Sequence, residues 1–177
     1  SILATGFTPN TTYEWRVRAK CDSNFFSNWS QPATLTTIGT NATNDECSTA
    51  ILLTVEPTCV LTYASNVGAT SSNPPPSGGC ASNGYKDVWF KFVAASSSQK
   101  ITLSPLIYRD YVFEVYSGSC GNLTSIGCVN TGGLNESDVA ILNNLTAGKT
   151  YYIRVYNYYG GADQESQFSL CINTSSA

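Results

Sequence analysis

An all-β chain, folded as an antiparallel β-sandwich or jelly roll, is what this sequence predicts. Three observations carry the prediction: apolar and polar residues alternate with period 2, clusters of Gly, Asn, Ser and Pro punctuate the runs, and helix-like patterning is confined to one short stretch. The 177 residues amount to one domain, or one and a fraction. The first run, Thr12–Ala19, sets Tyr13, Trp15, Val17 and Ala19 on one face and Glu14, Arg16 and Arg18 on the other, as a half-buried strand does. Small polar residues without periodicity at 38–43 read as a linker. The helix-like stretch is Asn44–Leu53, where Asn44 or Asp45 caps one or two turns. A short strand over Cys59–Ala64 leads into Asn73–Gly79, a Pro/Ser/Gly surface loop within the domain.

The strand pattern resumes at Val88–Val93, with Val88, Phe90 and Phe92 inward and Trp89 and Lys91 outward. Further strands are expected at Lys100–Leu103, Tyr111–Tyr116, Thr124–Val129, Asp138–Leu142, Thr150–Asn157 and Gln167–Ile172. An internal echo supports them: Phe7–Val17 parallels Leu145–Val155, each an apolar residue and a tight turn before a Thr-Tyr that opens a strand. That is the pattern of a tyrosine corner, in which a ring hydroxyl returns to nearby backbone.

Composition narrows the function. A net charge of −3 with scattered bases argues against a nucleic-acid surface. No apolar run approaches the ~18–20 residues of a membrane span. The chain has no histidine, which removes histidine-dependent triads and histidine-ligated metals. Catalysis would then need paired carboxylates, Cys or Lys, and no motif aligns two of the acids. A non-enzyme is expected. Lacking an initiator methionine and a signal peptide, the sequence reads as an internal or processed segment.

Seven cysteines in a polar chain point to an oxidising compartment and to disulfides. Six of them allow 15 pairings. The set expected is Cys120–Cys128 across a short loop, Cys59–Cys80 across the Pro-rich excursion, and Cys47–Cys171 tying the first segment to the last strand. Cys21 stands outside it.

Two resemblances organise the chain. Phe7-Thr8-Pro9, Tyr13, the strand through Val17, Trp29-Ser30-x-Pro32 and Thr34–Thr37 resemble the final strands of a fibronectin type III domain, an incomplete immunoglobulin-like sandwich over residues 1–37. That resemblance implies a Cys21 paired upstream. Asn44-Asp45-x-Cys47-x-x-Ala50, Asp87-Val88-Trp89-Phe90-x-Phe92 and Val115-Tyr116-Ser117-Gly118-x-Cys120-x-x-Leu123, followed by Cys128, are similar to bacterial pre-peptidase C-terminal domains. Such modules recur in Bacteroidetes surface proteins and exported hydrolases. The resemblance implies a complete jelly-roll or immunoglobulin-like sandwich over 44–173, outside the cell, frequently exported by the type IX route. It also implies calcium shared by Asn44, Asp45 and Asp87, although Lys86 stands where relatives tend to place another acid.

A second candidate site follows from strand parity. With Tyr151, Ile153 and Val155 inward, Tyr152, Arg154 and Tyr156 face outward and lead to Tyr158, Tyr159 and a Gly-Gly tip, a ridge of flat rings suited to sugar or peptide. The functional expectation is a non-catalytic module of a multidomain surface adhesin or filament, a disulfide-locked spacer that touches polysaccharide, protein or its neighbouring modules. The alternative is an accessory substrate-binding module of a secreted protease or glycosidase.

Overall fold

The computed structural model describes residues 6–8, 11–20, 25–37, 41–72, 86–159 and 165–174. They belong to two compact units, Ser1–Thr40 and Asn41–Ala177. In the first, β1 (Thr12–Trp15) pairs antiparallel with β2 (Ala33–Thr36). β1 stops at Trp15 rather than Ala19 for a local reason. The amides of Val17 and Ala19 donate to the hydroxyls of Ser30 and Ser27, at 3.0 and 2.8 Å, which replaces a regular ladder by side-chain bonds. The amide of Thr8 donates to the Tyr13 hydroxyl at 2.8 Å, the first expected tyrosine corner.

The second unit holds nine strands among the described residues: β3 (Ile51–Leu53), β4 (Thr62–Ser65), β5 (Val88–Val93), β6 (Gln99–Pro105), β7 (Tyr111–Ser119), β8 (Asn122–Val129), β9 (Asp138–Leu142), β10 (Thr150–Asn157) and β11 (Gln167–Thr174). They form two packed sheets, β3-β5-β10-β7-β8 and β4-β11-β6-β9. This is the predicted β-sandwich. Only β3 runs parallel to its neighbour; the other pairs are antiparallel.

Period-2 alternation explains the core. Val88, Phe90 and Phe92 of β5, Phe113 and Val115 of β7, and Ile153 and Val155 of β10 point inward and are fully buried. Ile101, Leu103, Phe168, Leu170 and Ile172 answer them from the other sheet. Phe90 meets Phe168 edge-on at 6.0 Å, and Phe92 stacks on Tyr151 at 5.6 Å. Burial of each such ring contributes about 1.5–3 kcal/mol. The stretch 44–53 is mostly not helical: one 3-10 turn at Cys47–Thr49 gives way to β3, because Ile51–Leu53 gain backbone partners in Phe90–Phe92 and Leu53 reaches the core.

The cysteines pair differently from the expected set. Cys47 bonds Cys120, and Cys59 bonds Cys171. Cys128 is disulfide-bonded as well. Cys21 and Cys80, and with them the expected Cys59–Cys80 bridge and the upstream pairing of Cys21, lie outside the described residues; Cys59 is already bound elsewhere. The expected Cys120–Cys128 bridge fails on geometry. Cys120 sits in the β7–β8 turn, and Cys128 stands opposite Glu114, a whole extended strand away. Eight residues of strand span about 26 Å, against the ~4.4–6.8 Å between Cα atoms that a disulfide needs. Cys47–Cys171 fails because the two cysteines serve opposite sheets. Cys47 packs with Trp89 and Tyr116 on the outside of the five-stranded sheet. Cys171 alternates with inward Leu170 and Ile172 in β11 and faces out from the other sheet.

Candidate functional site

The outer face of the five-stranded sheet carries a buried polar network. Parity turns Trp89 of β5, Glu114 and Tyr116 of β7, and Arg154 and Tyr156 of β10 to this side, and each is 2% exposed or less. Arg154 Nε donates to Asp87 Oδ2 at 2.9 Å, and its Nη1 lies 3.8 Å from Glu114 Oε2. The Tyr156 hydroxyl donates to Glu114 Oε1. Two carboxylates share one guanidinium here, and burial holds the Glu114 carboxyl above the usual glutamate range despite the Tyr156 hydrogen bond and the Arg154 charge that oppose it. The arrangement is structural: Arg154 ties β10 to β7 and to the entry of β5.

That network engages residues of both sequence-predicted sites. Asn44, Asp45 and Asp87 are each engaged by protein donors or acceptors of their own. Asn44 Nδ2 donates to the Trp89 carbonyl at 2.8 Å. Asp45 accepts from the amide and hydroxyl of Thr70 at 2.6 and 2.8 Å. Asp87 accepts from the Ser72 amide at 2.7 Å, from the Ser72 hydroxyl, and from Arg154. A dication wants free oxygens at about 2.3–2.6 Å. Here the Asp87 oxygens are engaged and a guanidinium stands against them, so the donor set does not fit calcium. Among the described residues no group of three or more His, Cys, Asp or Glu could hold a metal.

The tyrosine ridge keeps its parity and loses its exposure. Arg154 and Tyr156 are buried, and Tyr152 is half-buried against the Trp89 and Tyr116 cluster. Tyr158 and Tyr159 are exposed, 39% and 65%, with rings edge to face at 5.1 Å. The Gly-Gly tip lies outside the described residues. Parity alone could not foresee that Ser72, Trp89 and the Cys47 turn close over the middle of the strand.

One end of the sandwich holds an open cleft of about 730 Å³. Ser117 and Gly118 line it from the β7–β8 hairpin, Asn143 and Asn144 from the β9–β10 connection, and Lys149 and Thr150 from the start of β10. Its apolar lining is Ile126, with Leu145 and Tyr151. The β7–β8 register runs Val115↔Gly127 and then Tyr116↔Ser125, so Ile126 is the extra residue of a β-bulge, a device that re-aims a side chain.

The loop is braced. Asn144 adopts φ 62°, and Asn143 Oδ1 accepts from the Ser98 hydroxyl at 3.0 Å. The Leu145 amide donates to the Ser97 carbonyl at 3.0 Å. The Thr146 amide donates to the Tyr151 hydroxyl at 2.9 Å, the second expected tyrosine corner. Amides, hydroxyls and an amine beside an apolar lining suit a polyhydroxylated ligand. Sequence reasoning missed this site. No motif marks Asn143-Asn144, and the bulge that supplies Ile126 has no signature in a run of period 2.

A family model described as galactose binding domain-like, associated with type IX secretion, matches residues 43–170. No curated protein matches the chain. Among solved structures, the chain is similar to the pre-peptidase C-terminal domain of a Bacillus anthracis collagenase, at 15% identity and TM-score 0.46, covering 70% of this chain and 93% of that one. It is also similar to PliG of Aeromonas hydrophila, a periplasmic inhibitor of g-type lysozyme, at 18% identity and TM-score 0.39, covering 71% and 99%.

Proposed function

Because the chain belongs to the galactose binding domain-like family associated with type IX secretion, we infer that its second unit is a non-catalytic module that binds a glycan at the end cleft. Family and disulfides together make it a secreted or cell-surface protein. The observation that carries the glycan reading is the cleft: a braced loop presenting Asn143 and Asn144 opposite the bulged Ile126. Planar amides pair with vicinal hydroxyls, and an aliphatic side chain covers the apolar face of a sugar ring.

Within a longer polypeptide the module serves as a spacer that also touches polysaccharide, as in an adhesin or filament, and neighbouring modules are its covalent partners. The two-stranded sheet and tyrosine corner of residues 1–37 support reading that segment as part of a fibronectin type III-like module. The accessory-module alternative places the same cleft beside a hydrolase and keeps its chemistry.

The test is retardation of the full chain in native gels cast with galactan. Replacing Asn143 and Ile126 by alanine is expected to abolish retardation while the far-ultraviolet circular dichroism stays unchanged. Retardation lost instead on replacing Tyr158 and Tyr159 would move the site to the exposed tyrosines. A chain that no glycan retards would end the reading.

A further inference from the structure

We propose that the ligand of the end cleft is an anionic saccharide, whose carboxylate or sulfate is held by Lys149. This rests on the glycan reading above and narrows it.

Among the described residues, Lys149 is the sole charged one lining the cleft, and no carboxylate lines it. The ion pairs among the described residues, which engage Arg16, Lys86 and Arg154, do not include it. Its backbone is fixed: its amide donates to the Thr146 carbonyl at 3.1 Å, and its carbonyl accepts from the Ala94 amide at 2.9 Å. The side chain therefore hangs from a fixed backbone beside Thr150, and Asn143 and Asn144 line the same cavity.

A neutral sugar would use the amides and hydroxyls and leave the cation idle. A sugar acid or sulfate ester uses all of them, since charge-assisted hydrogen bonds are roughly twice as strong as neutral ones. The chain carries a net charge of −3, so it offers a polyanion no general attraction. Selectivity for an anionic polymer must come from a local cation, and Lys149 is the one the cleft provides.

The experiment runs the full chain through native gels containing neutral galactan, polygalacturonate or a sulfated galactan. One or both anionic polymers should retard it about tenfold more strongly than neutral galactan, and added salt should weaken the effect. Polygalacturonate alone identifies a carboxylate, sulfated galactan alone a sulfate. Lys149→Met should remove the preference and Lys149→Arg retain it, both with unchanged melting temperatures because only backbone atoms of Lys149 hold the fold. Equal retardation by neutral galactan, or a preference intact in Lys149→Met, overturns the anionic ligand and leaves the glycan reading standing. Retardation by none of the three overturns both.

Discussion

Glu114 lies fully buried, with a tyrosine hydroxyl on one oxygen and a shared guanidinium near the other. Burial raises its pKa, so its proton leaves more readily from the unfolded chain. Its contribution thus favours the fold at low pH and is lost as pH rises through the raised value. Asp110, raised by burial and by the charge of Asp138, acts in the same direction. Urea unfolding of Glu114→Gln between pH ~4 and ~7 should show the variant gaining on the natural protein as pH rises. A difference flat across that range would mean the carboxyl titrates alike in both states. At Asp87 the expectation concerns metal. With its oxygens committed to Ser72 and Arg154, chelator and millimolar calcium should leave the melting temperature where it was, and a rise with calcium would refute this assignment.

At the scale of elements, the β10 region shows what was legible. The echo between Phe7–Val17 and Leu145–Val155 located both tyrosine corners, because a corner is a local device written in consecutive residues. Strand parity was equally plain: Val88, Phe90 and Phe92 line the core and Trp89 does not. What stayed hidden was made by residues distant in sequence. Arg154 and Tyr156 were expected in solvent, yet residues as far away in sequence as Cys47 and Ser72 cover them. The cleft joins a bulge in β8 to a loop some twenty residues on. Disulfide partners were unreadable for the same reason, since sheet order fixes them and sequence spacing does not. Tyr151→Phe tests the corner's part in the cleft. Loss of its hydroxyl should cost about 1 kcal/mol and speed hydrogen exchange at the Thr146 amide, while the core signals of Phe90 and Phe168 hold. An unchanged exchange rate at Thr146 would show that the loop needs no brace.

For the whole molecule, the second unit contains a closed core of its own and both described disulfides. A fragment spanning residues 41–177 should therefore unfold cooperatively with the same urea midpoint as that unit shows in the full chain. A fragment that melts without cooperativity would deny the unit its independence. The bridges span 73 and 112 residues, and by loop-closure entropy each is worth about 4–5 kcal/mol, so reduction should lower that midpoint sharply.

The Cys59–Cys171 bridge also decides how the second unit responds to tension. A pull entering at residue 41 and leaving at residue 174 reaches Cys59, crosses the sulfur bridge, and exits within four residues of the end of β11. The stretch between the two cysteines, 112 residues in separation and about 380 Å if drawn out, carries none of the load. On the loaded path, what can peel away is short: β3, a three-residue edge strand, the Glu56 bridge to Asn173, and the last three residues of β11 against β6. Oxidised, the unit behaves as a nearly inextensible link that keeps its cleft in shape under load; reduced, the same unit becomes a tether that can pay out its whole length.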